Sequence, residues 1–206
     1  METNTDVEIH PPSRVISRFF HSKEIGMVAL LLLCLVGFYF FAYRNIRFFI
    51  VPSCSMEPAL YPEDMIITLK EPQYQRGDIV VVYDEGEYVV KRIIGLPDDN
   101  ISVVDGALFI NGKYASEPYV LEPMKYFIEY PVRVPEDRFF FMGDNRNASE
   151  DSSVGFSNAP DEHPRSNPMD YLGYLDAIVG KVCFIYYPYN RFGTVHSYPL
   201  IYVAEQ

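Results

Sequence analysis

Residues 25–43 form a run of nineteen residues without a charged side chain, and this run constrains the fold more than any other feature. As an α-helix it would measure about 28 Å, close to the hydrocarbon thickness of a bilayer. It has no polar face, which argues against a core helix, and the bulky residues after it do not suit removal as a leader. We therefore expect a tail at 1–24 and a retained transmembrane helix at 25–43. Three basic residues before the helix and two after it favour a cytoplasmic tail.

The part of the chain after the helix is acidic, since residues 48–206 carry 12 Lys/Arg and 24 Asp/Glu. Such a charge repels phosphate backbones and argues against nucleic acid as a partner, although it also simply keeps a domain soluble. The three cysteines do not form a framework. The sequence does not decide whether Cys54 and Cys183 form a disulfide. Cys54 is either a second candidate nucleophile or an incidental thiol.

The remaining sequence consists of β-branched and aromatic runs separated by Gly, Pro, Asp and Asn, which predicts strands joined by turns. No helical periodicity follows residue 43, so we expect an all-β domain of antiparallel sheets. The proline-containing segment 157–175 is expected to be a long exposed loop. The predicted strands are 65–69, 78–83, 88–94, 101–104, 107–110, 126–134, 139–142, 180–187 and 194–203.

Two serines, Ser53 and Ser55, lie between Pro52 and Pro58, directly after the apolar residues 48–51. Proline restricts its own φ angle and favours extended backbone in the residue before it, so these hydroxyls lie on stiff chain. Either serine is a candidate nucleophile, although most Ser-x-Ser sequences are polar turns. The run 48–51 is interpreted as a buried strand, a bilayer-contacting surface, or both.

A serine nucleophile needs a group that accepts its proton. His163 and His196 are available, but neither has a distinctive context. Lys91 lies on an apolar predicted strand, where burial would lower its pKa from about 10.4 toward neutrality. Arg92, on the opposite face, cannot shift in this way. The alternative is that Lys91 is an edge-strand charge that prevents aggregation.

A third block, residues 142–153, is a Gly/Asx turn after a predicted strand, and its Ser149 could orient the lysine amine. The three blocks follow one order: Pro52-Ser-Cys-Ser-Met-Glu-Pro58, then 77–82 with 91–97, then 143–146 with Ser149 and Asp151. In that order they closely resemble bacterial type I signal peptidase, the Ser/Lys leader peptidase. The resemblance covers nearly all of 48–191.

The resemblance implies a role for each matching residue. Ser55 matches the nucleophile, Lys91 the general base, and Ser149 the serine that orients the lysine. The Ser53 hydroxyl and the Ser55 N–H match the donors to the oxyanion. The supporting residues around this centre are Asp151, Asp144 and Arg146. Six apolar positions match the lining of two shallow pockets for small residues at −1 and −3 of the cleavage site: Phe49, Val51, Met56, Leu60, Val89 and Val90.

The resemblance also implies a membrane-anchored serine endopeptidase that removes signal peptides after Ala-x-Ala, with neither a metal ion nor a cofactor. Its expected partners are signal-peptide-bearing preproteins, the lipid bilayer and the secretory translocation machinery. Its expected place is the bacterial cytoplasmic (inner) membrane, single-pass, with the N-terminus inside and the catalytic domain on the outer face. The expected domain has a catalytic β lobe at 48–94 and 139–206 and a second β lobe inserted at 95–138. A peptidase of a conjugation or organelle system is a close variant.

Three positions depart from the family pattern. Ala59 replaces the usual Thr, Asp98 replaces a Gly in a turn, and Ser153 replaces the usual Arg. The last change removes the expected cationic partner of Asp151, which leaves Arg146 or Lys181 to compensate, or a looser corner. The 157–175 loop also reads as an insertion. A second hypothesis follows from Ser153: an inactive anchored β domain that binds exported polypeptides without cutting them.

Overall fold

The computed structural model describes residues 14–159, 164–198 and 200–202, with the backbone alone for 14–22 and 201–202. The chain divides into two compact units, of which the first ends at Arg44. Helix α1, Arg14–Asn45, occupies its described part. The segment Lys23–Asn45 has a mean hydropathy of 2.6 and is long and apolar enough to cross a membrane. The helix thus contains the expected span and begins within the expected tail, since no proline interrupts the sequence after Pro12. Residues 1–13 lie outside the described part.

The second unit contains antiparallel strands and short 3₁₀ helices over its described residues, as the sequence predicted. The strands alternate with tight turns, and nearly all lie within one or two residues of a predicted boundary. Their bounds are β1 Ile46–Ile50, β2 Met65–Leu69, β3 Ile79–Asp84, β4 Glu87–Gly95, β5 Asn100–Val104, β6 Ala107–Ile110, β7 Lys113–Ser116, β8 Ile128–Arg133, β9 Arg138–Met142, β10 Gly173–Tyr174, β11 Ile178–Tyr187, β12 Gly193–Thr194 and β13 Ile201–Tyr202.

The strands form two sheets. The larger sheet has the order β1-β2-β11-β3-β4-β9-β10, with β12 also paired to β11, and the smaller has the order β13-β7-β6-β5-β8. Tight turns set the hairpins: Asp105-Gly106 and Asn111-Gly112 have positive φ angles throughout, as these dipeptides predict. The smaller sheet lies largely where a second lobe was expected, but β13 joins it from the C-terminus. The division of this unit into two lobes stays a prediction.

The hydrophobic core lies on both faces of the larger sheet and against the smaller one. Strand β3 shows how the sequence produces this arrangement, because successive side chains point to opposite faces. Ile79 and Val81 pack in one cluster with Val90, whereas Val80 and Val82 pack in another. A strand buried on both faces needs a continuous apolar run, and β3 has one.

The C-terminal region departs from the prediction. The expected strand 194–203 is instead two dipeptide strands, β12 and β13, because a proline at 199 cannot donate to a ladder. Strand β7 was missed, since its sequence Lys-Tyr-Ala-Ser has no apolar alternation. The predicted long loop is also partly wrong: Pro168–Tyr171 form a 3₁₀ helix, and β10 pairs with β9. Residues 160–163 of that loop lie outside the described part.

Candidate active site

Ser55 lies in a short 3₁₀ helix, Cys54–Met56, directly after β1. The β1–β2 ladder fixes the chain that enters this turn, and the Val51 N–H donates to the carbonyl of Asp64 at 2.9 Å. Ser55 is 7% exposed. A nearly buried hydroxyl in this turn is held in place by the main chain on both sides, which is the setting a nucleophile needs.

Lys91 reaches Ser55 from strand β4. Its Nζ donates to Ser55 Oγ and to Ser149 Oγ, each at 3.0 Å. The side chain is 5% exposed, as expected of a lysine that shares a strand face with Val89 and Ile93. Burial lowers the pKa of Lys91, while the negative charges of Asp151 and Glu150 oppose that shift. The structure therefore places the buried amine of Lys91 within hydrogen-bond distance of the Ser55 hydroxyl.

Ser53 lies on the other side of the nucleophile candidate. Its hydroxyl donates to Ser55 Oγ at 3.2 Å. The N–H of Asn145 donates to the Ser55 carbonyl at 3.0 Å, which ties the turn to the chain after β9. The structure thus brings four of the predicted site residues into contact: Ser53, Ser55, Lys91 and Ser149.

Gly143 explains why the chain after β9 can approach so closely. A Cβ atom at this position would run into the Ser149 hydroxyl and the Ser55 carbonyl oxygen. Only glycine leaves room for the contact between Lys91 and Ser149.

Asp151 is held by neutral donors and not by a cation. Its carboxylate accepts from the N–H of Gly143 at 2.9 Å, from the N–H of Ser153 at 3.0 Å and from the Ser153 hydroxyl at 2.7 Å. Ser153 Oγ also lies 3.1 Å from the Tyr126 hydroxyl, whose pKa is raised by burial. Ser153 itself therefore supplies two of the hydrogen bonds that hold the Asp151 carboxylate.

The two cations expected to compensate for the missing arginine are placed elsewhere, so that expectation is wrong. Arg146 forms a buried ion pair with Glu117, and Lys181 pairs with Asp78 at 2.7 Å. Each basic side chain is committed to another carboxylate, Arg146 to one that follows β7 and Lys181 to one that precedes β3. Asp151 therefore has no ion-pair partner among the described residues.

Arg92, the residue after Lys91, anchors the back of the site. Its guanidinium binds the Asp144 carboxylate through two hydrogen bonds, at 2.7 and 2.5 Å, and both side chains are fully buried. The guanidinium also lies 4.0 Å from the ring centroid of Tyr119, whose pKa burial raises strongly. Sequence reasoning identified Asp144 as supporting but missed Arg92 and Tyr119. A charged residue inside an apolar strand was the signal that could have found Arg92.

A groove of about 440 Å³ runs past Ser55 and Lys91. Four of the six expected pocket residues line it: Val51, Met56, Val89 and Val90. The other two do not. Leu60 is wholly buried in the core beneath, and Phe49 packs against the Tyr88 ring with centroids 5.2 Å apart. Both support the wall from behind, because their strand and turn positions face the core.

Neither candidate histidine is found beside Ser55. His196 is exposed, and the Ser55 hydroxyl instead contacts Ser53 and Lys91. His163 lies outside the described residues. Cys54 and Cys183 are free thiols, which excludes the disulfide. Asp98 lies in a turn at a φ of 69°, as expected of a position that usually holds glycine. No group of His, Cys, Asp and Glu that could hold a metal ion occurs among the described residues.

In this site a buried amine lies beside a nearly buried serine hydroxyl, and a second hydroxyl lies next to them. This arrangement is typical of a serine hydrolase that uses lysine as its base. Comparison with known proteins agrees with that class. The family model described as "Signal peptidase, peptidase S26" matches residues 22–187. The chain belongs to this family.

The relatives are signal peptidases of bacteria. Signal peptidase I of Bacillus amyloliquefaciens is 36% identical over 163 residues, covering 72% of this chain and 80% of the relative. Signal peptidase I of Bacillus licheniformis is 34% identical over 192 residues, covering 85% and 91%. A crystal structure of a signal peptidase I from Enterococcus faecalis V583 matches with a TM-score of 0.40 and 25% identity, covering 54% of this chain and 98% of that one.

Proposed function

We propose that this chain is a membrane-anchored serine endopeptidase that removes N-terminal signal peptides from translocated preproteins, cutting after small residues of the Ala-x-Ala type. The single observation that carries this proposal is the 3.0 Å contact between Lys91 Nζ and Ser55 Oγ inside the domain. Membership of the signal peptidase family supplies the substrate class.

In the proposed reaction, neutral Lys91 accepts the Ser55 proton as the oxygen attacks the carbonyl carbon of the residue before the scissile bond. The peptide bond then breaks, the leaving amine takes that proton from Lys91, and the signal peptide stays esterified to Ser55. Lys91, neutral again, deprotonates a water molecule that attacks the ester, and the proton passes to Ser55 Oγ as the signal peptide leaves. Ser149 holds Lys91 in position through its second hydrogen bond, which restricts the amine to one orientation.

The developing oxyanion needs donors that are already in place. We assign this role to the Ser53 hydroxyl and the Ser55 N–H. The contact between the Ser53 hydroxyl and Ser55 Oγ supports this assignment. Val89 and Val90 on one side and Val51 and Met56 on the other give the groove an apolar lining that suits small side chains.

The apolar helix supports the proposed location. Its apolar segment, Lys23–Asn45, is long enough to anchor the domain in the bilayer. We assign the N-terminus to the cytoplasm and the catalytic domain to the outer face of the bacterial inner membrane, beside the translocation machinery that delivers the substrate. Anchoring enzyme and signal peptide in one membrane raises their effective concentration. We also retain the division into a catalytic lobe at 48–94 and 139–206 and an inserted lobe at 95–138.

The test is cleavage of a peptide that carries an Ala-x-Ala signal region, with the full chain in detergent. Wild type should cut after the second Ala, and Ser55→Ala and Lys91→Met should each lower kcat/KM by at least about a thousandfold while keeping the native circular dichroism. The variant His196→Ala should cut normally. Equal cleavage by all four proteins would contradict the assignment.

The hydrogen bonds around Ser153 remove the main argument for the inactive-domain hypothesis. Ser153 replaces the missing cation with a direct hydrogen bond to Asp151, and the chain around Lys91 is closely packed. Peptide binding without cleavage by wild type would restore that hypothesis.

A further inference from the structure

The catalytic groove does not end beside Val89. A second cavity, of about 320 Å³, shares three lining residues with it: Glu87, Val89 and Glu150. Its far side is made by Arg165 and Tyr171, which belong to the segment predicted from sequence to be an insertion. The cavity thus adjoins the groove that holds Ser55, and that segment forms its far wall.

That wall is a built structure. Arg165 pairs with Asp84 at 2.9 Å and with Glu85 at 3.6 Å, both at the end of the β3–β4 hairpin. The backbone N–H of Arg165 donates to the Tyr171 hydroxyl at 2.7 Å. Tyr171 is 4% exposed, and its carbonyl accepts from the Ser152 hydroxyl at 2.7 Å. The segment is therefore tied both to the hairpin and to the chain that carries the site residues.

The charge of the cavity is unbalanced toward negative. One cation, Arg165, faces the two carboxylates of Asp84 and Glu85, whereas Glu87 and Glu150 line the cavity and form no ion pair with a described residue. Asp151, held by neutral donors alone, also lines it. A group that enters from the groove therefore meets two carboxylates, those of Glu87 and Glu150, that have no ion-pair partner among the described residues.

The free edge of β4 leads into this cavity. Strand β3 covers one edge along Glu87–Arg92, and β9 covers the other only from Arg92 onward. An extended peptide can therefore pair with the open edge beside Lys91 and run toward Glu87. Glu87 and Val89 point to the same face as Lys91, and Glu87 lies about 13 Å from it along the strand, a span of about four peptide residues.

We infer that this acidic cavity is a specificity subsite, which receives a basic side chain of the substrate about four residues from the scissile bond. The inference rests on the proposed function, because it names a preference of the same peptidase. Glu87 and Glu150 act as the carboxylates that pair with the incoming Lys or Arg. The segment with Arg165 acts by shaping the wall and by keeping Asp84 and Glu85 occupied.

The test uses an Ala-x-Ala peptide in which a single Lys, or a matched Glu, is scanned through the third to sixth residues on either side of the scissile bond. At low salt, wild type should cut the best Lys peptide about fivefold faster in kcat/KM than the parent peptide with Ala there. The advantage should shrink in about 0.5 M salt, where charges are screened. In the double variant Glu87→Gln/Glu150→Gln the ratio of Lys to Ala peptide should fall to about one.

Glu136→Gln is the matched control, since it removes the same charge from an exposed turn that lines neither cavity. It should keep the Lys preference. A wild-type enzyme that cuts the parent peptide but shows no Lys preference at any position overturns the inference and leaves the proposed function standing. An equal loss of preference in the control also overturns it, because the general field of an acidic domain then suffices. Failure to cut any of the peptides overturns both.

Discussion

Lys91 Nζ donates to Ser55 Oγ across 3.0 Å, which joins strand β4 to a 3₁₀ helix that lies 36 positions earlier in sequence. The amine is kept from water by the apolar residues of β4 and by the chain that follows β9. Burial has the largest influence on the pKa of Lys91 and lowers it, whereas the negative charges of Asp151 and Glu150 raise that pKa. The proposed function depends on this balance, because only the neutral amine can take a proton.

Ser149 should be required for rate and not for folding. In Ser149→Ala the amine of Lys91 loses one of its two hydroxyl partners and is free to turn away from Ser55. We expect kcat to fall by about tenfold to a hundredfold, as misplacement of a catalytic group by about 1 Å does. Single-turnover cleavage measures this. Ser157→Ala, which alters a serine whose hydroxyl accepts from the N–H of Ala159 in its own loop, should retain the wild-type rate; equal rates in both variants would contradict the role of Ser149.

Gly143 should be intolerant of the smallest side chain. A methyl group in Gly143→Ala meets the Ser149 hydroxyl and the Ser55 carbonyl, so the hydroxyl must leave Lys91 or the turn must shift. We expect at least about a tenfold loss of kcat/KM. Gly193→Ala is the control, because open space surrounds that position and its activity should be normal. Full activity of Gly143→Ala would show that the close approach is not needed.

Ser153 should contribute to stability through Asp151. Ser153→Ala removes the hydroxyl donor to a buried carboxylate that has no ion-pair partner among the described residues. We expect the free energy of unfolding to fall by about 1–2 kcal/mol, which urea titration of the full chain in detergent can measure. Ser102→Ala, a half-buried serine of β5, should change it much less. An unchanged stability of Ser153→Ala would mean that the backbone donors suffice.

Glu150 should influence the acid limb of the pH profile. Its negative charge favours the ammonium form of Lys91 and so raises the pKa of that lysine. In Glu150→Gln the charge is gone, the pKa of Lys91 falls further, and the neutral base is present at lower pH. The acid limb of kcat/KM should therefore move to lower pH, while Glu136→Gln leaves it in place. A limb that does not move, or moves upward, would contradict this coupling.

The sequence was sufficient where local chemistry decides the structure. Asp105-Gly106 and Asn111-Gly112 require positive φ angles and were placed in tight turns, and the apolar run of β3 was identified as a strand. Lys91 was proposed as the base for Ser55 from its apolar strand, and the family resemblance supported that pairing, although nothing local joins residues so far apart.

Ion-pair partners could not be predicted from the sequence because they depend on which distant strands and turns come together in the fold. Arg146 pairs with Glu117 and Lys181 with Asp78, although the carboxylate that lacked a partner was Asp151. The use of Ser153 as a substitute donor also needed coordinates, because a serine two residues beyond an aspartate has no distinctive pattern. For the same reason β13 was misplaced: its pairing with β7 joins residues 201–202 to the distant hairpin strand Lys113–Ser116.

The pH dependence of kcat/KM for wild type, with Lys91→Met beside it, tests the central claim most directly. We predict that the wild-type rate rises along a single acid limb whose midpoint lies below 10.5, the ordinary pKa of a lysine, because burial lowers the pKa of Lys91. Lys91→Met should lack both the limb and the activity at every pH. A Lys91→Met enzyme that retained the wild-type rate and profile would contradict the account, because the proton of Ser55 would then leave by another route.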